Sequence, residues 1–141
     1  MSKSEKVYVE IDWYDGPRAG VADVKGVPHR FVADFDDSKG YLDSFRLFPI
    51  SKSDLELEIE QWTIYVRWSR LCKSGAAQAS SHPGGGGVNP RWDELDLLLR
   101  ESREVPETCL SAHATFELIE GRCSRYEESG PDYRVTWHFI E

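Results

Sequence analysis

The first 48 residues hold four runs of alternating apolar and polar side chains, separated by short turns and with no helical pattern between them. Strands gathered in this way, rather than alternating with helices, point to a mostly antiparallel sheet and to the α+β class. The first run, VYVEIDWY, places Val7, Val9, Ile11 and Trp13 on one face and Tyr8, Glu10, Asp12 and Tyr14 on the other. Asp15-Gly16-Pro17 breaks it, because Gly tolerates positive φ and Pro lacks an N–H for the ladder. A second strand runs from about Val21 to Val24, and Lys25-Gly26 reads as a hairpin turn with Gly26 left-handed. His29, Phe31, Ala33 and Phe35 then share one face of a third strand, whose start at Pro28 marks an edge or a bulge. After the turn Asp36-Asp37-Ser38-Lys39-Gly40, Ser44 to Phe48 forms a fourth strand, closed by Pro49.

Residues 51–75 satisfy two patterns, since Leu55, Leu57, Ile59, Trp62, Ile64, Val66 and Trp68 also alternate as in a strand. Ser53 followed by Glu56 as a capping box, about 22 residues without Gly or Pro, and the stop Lys73-Ser74-Gly75 favour a helix over 53–72. On a helical wheel Leu55, Ile59, Trp62 and Val66 form one apolar stripe, and Ile64, Trp68, Leu71 and Cys72 a second. The glycine-rich stretch at about 76–88 is expected to be a flexible, disordered connector. Asn89-Pro90 starts a second helix with Asn as the cap. Trp92, Leu95, Leu98 and Leu99 are its buried stripe, Asp96 and Arg100 an i,i+4 pair, and Pro106 its end. Alternation returns over Leu110–Leu118 and Tyr133–Phe139, with a polar stretch between. The expected architecture is one α+β domain over residues 1–141. About six strands in the order ββββααββ form a twisted or partly barrel-like sheet, with two helices on one face.

At 141 residues the chain has the size of a single core. A net charge of −8 argues against a phosphate-backbone binder, so no nucleic acid is expected. No apolar run reaches the length of a membrane span, so no membrane partner is expected. Cys72, Cys109 and Cys123 form no disulfide framework, and the N-terminus lacks the apolar core of a signal peptide, so the expected location is cytoplasmic. The acidity lies mainly in the last two-thirds, leaving the N-terminal strands close to neutral.

Two groups of residues stand out as candidate sites. If the last two strands pair so that facing residue numbers sum to 251, Glu117 meets Arg134, Thr115 meets Thr136 and His113 meets His138. His113, His138 and Cys109, four residues before His113, would then be candidate metal ligands, against the plainer reading of a solvated sheet face. The second group is the turn that packs Trp13, Tyr14, Asp15 and Arg18 together, with Asp23 and His29 brought back by the hairpin. There Arg18 would either hold a carboxylate or phosphate, or tie the turn to the sheet through an Asp. Other motifs fail: Asp34-x-Asp36-x-Ser38 has Lys39 where a calcium loop needs Gly, and Gly84–Gly87 lack a following Lys-Ser/Thr. No nucleophile motif surrounds a Ser or Cys, and no cofactor is called for.

The run WYDGPRAGVADVKGVPHRF, continuing more loosely through DSFRLFPI to QWTIYVRW, resembles a family of short uncharacterised bacterial proteins sharing W-Y-D-G-P-R-x-G-x-A-D. The resemblance covers roughly residues 13–70 and implies a bacterial origin and a shared fold, but carries no activity. The residues themselves favour an adaptor-like or inhibitor-like interaction protein without catalysis. Its acidic surface would suit a basic protein partner, with Trp13, Tyr14 and Arg18 as anchors. The alternative is a small-anion or metal-binding domain using the Arg18 turn with Asp23 and His29, or the His113/His138 strand face.

Overall fold

Residues 3–140 are described by a computed structural model. The alternating runs become β1 (Glu5–Trp13), β2 (Pro17–Val24), β3 (Val27–Asp36) and β4 (Gly40–Pro49). They are followed by α1 (Lys52–Lys73) and α2 (Pro90–Leu99). The chain ends with β5 (Leu110–Leu118), a two-rung hairpin of β6 (Tyr126–Glu127) and β7 (Gly130–Pro131), and β8 (Tyr133–Phe139). Six strands close into an antiparallel barrel in the order β1-β2-β3-β4-β5-β8. The seam is short, Glu5 facing Val135 and Lys6 facing Arg134, yet it removes both sheet edges. The expected α+β class and antiparallel sheet are borne out, with full closure in place of a partial barrel.

Aromatic side chains fill the barrel. Phe31 lies 5.7 to 6.0 Å, ring to ring, from Phe45, Phe116 and Trp137, and Val7, Ala22, Leu47, Ala112 and Val135 close the gaps. A second apolar layer lies outside the wall, where Val9 and Val21 meet Trp62 and Val66 of α1. Strict alternation would put Val7 and Val9 on one face. A register shift between them turns Val7 into the barrel and Val9 out toward α1. Gly20 makes that bulge possible: a Cβ there would stand 2.3 Å from the Val9 carbonyl oxygen and 2.6 Å from the Phe31 ring. A shift between Ala33 and Phe35 likewise leaves Phe35 exposed, off the face of Phe31 and Ala33.

Residues 52–73 are helical throughout, which settles the ambiguity of that segment. The cap is Ser51 rather than Ser53, since its hydroxyl accepts from the Asp54 N–H. The second stripe is not apolar core: Leu71 is exposed, and the residues of α1 that are buried besides Trp62 and Val66 are the polar Glu58, Gln61 and Ser69. Asn89 caps α2 as expected, its side chain accepting from the Trp92 N–H. Only Leu95 and Leu99 are buried there, however, and Leu98 faces solvent. Asp96 turns from Arg100 to Arg103 and Gln61, which lie across the helix pair. The connector expected to be disordered has a definite course. His82 packs against Trp68 at 4.6 Å between ring centres and accepts from the Gly84 N–H, while Trp68 Nε1 donates to Ser81 Oγ.

Candidate functional site

The β1–β2 and β3–β4 turns meet at one end of the barrel. Asp15 and Gly16 both take positive φ, 54° and 121°, which folds the turn back so that Arg18 lies under it. Arg18 donates to three backbone carbonyls, Tyr14 at 2.6 Å, Asp15 at 3.2 Å and Leu42 at 3.5 Å. It therefore clasps the two turns together through main chain, not through the Asp bridge expected. Above the clasp is an aromatic cluster: Tyr41 sits 5.8 Å from Tyr14 and 5.1 Å from Phe35. Tyr14 is 68% exposed and Phe35 60%. Tyr41 donates to Asp12, whose negative charge raises the phenol pKa. Residues 12–18 and 34–43, which make this tip, contain six aspartates against Arg18 and Lys39.

Asp23 and His29 do not join that site. Five residues of strand separate Arg18 from Asp23, about 16 Å, and His29 pairs with Ala22 at the far end of the same hairpin. Asp23 accepts from the Tyr8 hydroxyl at 2.9 Å, and burial together with this bond pushes the phenol up to about 12. His29 Nδ1 lies 2.8 Å from the Val27 carbonyl oxygen. Asp23 thus ties β2 to β1, and His29 bonds back to the start of β3.

The register summing to 251 is present: His113 faces His138, Thr115 faces Thr136 and Glu117 faces Arg134. Those imidazoles have other partners, His138 Nε2 lying 3.0 Å from Thr115 Oγ1 and His113 Nδ1 3.4 Å from the Asp43 carbonyl oxygen. Cys109 precedes β5, and the described residues contain no group of three or more His, Cys, Asp or Glu placed to hold a metal. His113 and Arg18 do line one depression of about 380 Å³ with Asp15, Asp43 and Phe45. Three of the five Arg18 N–H donors go to carbonyls, and Asp15 and Asp43 line the same depression, so its charge is mixed.

A larger cleft of about 420 Å³ lies between β1, α1 and the connector, within the usual range for small-molecule sites. Sequence reasoning passed over it because its residues come from five separate segments. The rings of Trp13, Trp62, Tyr65, Trp92 and Tyr126 line it, together with His82. Trp62 and Tyr65, at helical i,i+3 spacing, were the one local sign of it. One end is closed by ion pairs: Arg30 reaches Glu58 at 2.5 Å, Arg103 reaches Glu58 at 2.7 Å, and Arg103 also meets Asp96. At the other end the Glu10 side chain is only 7% exposed. Tyr133 donates to its Oε1 at 2.8 Å, and Arg125 Nη2 stands 3.5 Å from the same oxygen. Burial raises the Glu10 pKa despite these partners.

Comparison of the chain with protein-family models, curated proteins and solved structures finds no match.

Proposed function

We propose that the protein is a non-catalytic binding module, adaptor-like or inhibitor-like, whose barrel tip docks a basic protein partner. One observation carries the reading: the closed barrel collects six carboxylates and the exposed rings of Tyr14 and Phe35 at a single end. Aromatic rings flanked by like charges supply apolar contact area and a field that steers a complementary surface. Arg18 supports this face from beneath by holding the turns together. The contact residues are thus Tyr14, Phe35 and the surrounding aspartates, and Trp13 belongs to the neighbouring cleft.

The test is capture from a cell lysate on immobilised wild type and on the Tyr14→Ala/Phe35→Ala variant. Both positions are exposed, so the variant should keep the wild-type unfolding midpoint. The expected result is one strongly basic protein on the wild type, released by salt and reduced at least roughly tenfold on the variant. Equal capture by both proteins, or a salt-insensitive partner, would refute the docking face.

A further inference from the structure

Arg125 is poorly satisfied for a guanidinium in its position. Its Nε and Nη2 are buried without a hydrogen-bond partner among the described residues, although Glu10 Oε1 lies within ion-pair distance. What holds it is ring faces: its guanidinium carbon sits 3.6 Å from the centre of Trp13 and 5.0 Å from that of Tyr126. Trp13, Tyr126 and Glu10 all line the 420 Å³ cleft, so the groups that grip Arg125 also face open space.

Two aromatic faces and a desolvated carboxyl form an environment in which a cation is attracted by ring quadrupoles and by charge at once. The carboxyls at the opposite end are already committed, Glu58 to two arginines and Asp96 to Arg103 and Gln61. Glu10 is different: its partners are the phenols of Tyr133 and Tyr126 and the Arg125 guanidinium, which stands 3.5 Å away, so no closely placed cation neutralises it. We propose that the Trp13, Tyr126 and Glu10 corner of the cleft binds a small organic ammonium cation, and that Arg125 rests on this site in the free protein. An entering ammonium group would share or take over the rings and the carboxyl. The displaced guanidinium gives up no hydrogen bond at Nε or Nη2, so its departure costs less than that of a fully bonded arginine.

This site is independent of the barrel tip and stands or falls separately. The probe is choline, titrated at constant ionic strength and followed by tryptophan fluorescence, since Trp13, Trp62 and Trp92 all line the cleft. Its neutral isostere 3,3-dimethylbutan-1-ol has the same shape without the charge. Choline should saturate the signal and the alcohol should bind roughly tenfold or more weakly. Glu10→Gln keeps an acceptor for Tyr133 but removes the charge, and should weaken choline several-fold. Arg125→Ala removes the resident cation and should tighten it. Unfolding midpoints of both variants confirm that the fold is kept. Equal binding of the alcohol, no saturation by about 100 mM choline, or weaker binding by a folded Arg125→Ala protein would each overturn the proposal.

Discussion

The inside of the barrel and the Arg30–Glu58 end of the seam between its wall and the helices are equally dry but chemically opposite. Inside, Phe31, Leu47 and Val135 are at most 1% exposed and belong to one cluster of apolar side chains. At that end of the seam Arg30 and Glu58 are each 2% exposed and are held by directional contacts. Arg30 donates from Nη1 to Glu58 and from Nε and Nη2 to Ser102, while Arg103 forks onto the same carboxylate. Apolar burial rewards any close fit, whereas a buried ion pair rewards one geometry and penalises the rest. The interior therefore makes the barrel, and the seam determines where α2 and the segment after it lie.

The largest expected effect tests that division. Glu58→Ala strands Arg30 in a buried site and should cost about 3–5 kcal/mol, read from urea unfolding. Replacing the pair together, Arg30→Met with Glu58→Leu, should recover most of that loss, because two apolar side chains need no partner. A Glu58→Ala protein within about 1 kcal/mol of wild type would show that the seam adapts freely, and the contrast with the interior would fall.

Next in size is Gly20→Ala, which probes the wall shared by the two regions. The added Cβ meets the Val9 carbonyl oxygen on one side and Phe31 on the other, so bulge and core must both yield. About 1–3 kcal/mol of destabilisation is expected. Gly26 offers a control: its φ is +78° but nothing lies within 4 Å of an added methyl group, so Gly26→Ala should show only the left-handed backbone penalty of about 1 kcal/mol. Equal losses at the two sites would mean that crowding at the bulge is relieved at no cost.

The same two regions explain what could be read in the chain. Period-two alternation is a local signal, and it located all six barrel strands; for β5 and β8 it fixes only which faces match, and the Glu117–Arg134 and His113–His138 pairs single out the register that is present. It failed where a single extra residue changes the face, at Val9 and Phe35, since a bulge leaves no mark in hydrophobicity. The cleft and the seam are worse cases. Glu58 and Gln61 look like a solvated helix face, and Arg30 and Arg103 arrive from distant segments to cover them. His82 sits in a stretch whose composition signals disorder, and it is ordered by rings at positions 65, 68 and 92. Charge behaves likewise: the first 52 residues sum almost to neutrality, but the fold carries Lys25 to one end and six aspartates to the other.

The smallest effect separates two buried carboxyls, Glu58 at one end of the cleft and Glu10 at the other. Glu58 is clamped by two arginines, while Glu10 has two phenols and one loosely placed guanidinium. Burial accordingly raises the Glu10 pKa above its value in the unfolded chain. In the window between the ordinary glutamate pKa and the raised folded one, the native state binds more protons than the unfolded state. Stability must therefore fall as pH rises through that window, and the loss persists above it. Glu10→Gln has no proton to give up and keeps the Tyr133 hydrogen bond. The stability of the variant relative to wild type should thus grow as pH rises from the ordinary glutamate range, about 4, through the raised folded pKa, measured as the shift in urea midpoint by tryptophan fluorescence. A difference that stays flat across this range would mean that Glu10 ionises alike in both states. The cleft carboxyl would then be as well served as Glu58, and the asymmetry between the two ends of the cleft would disappear.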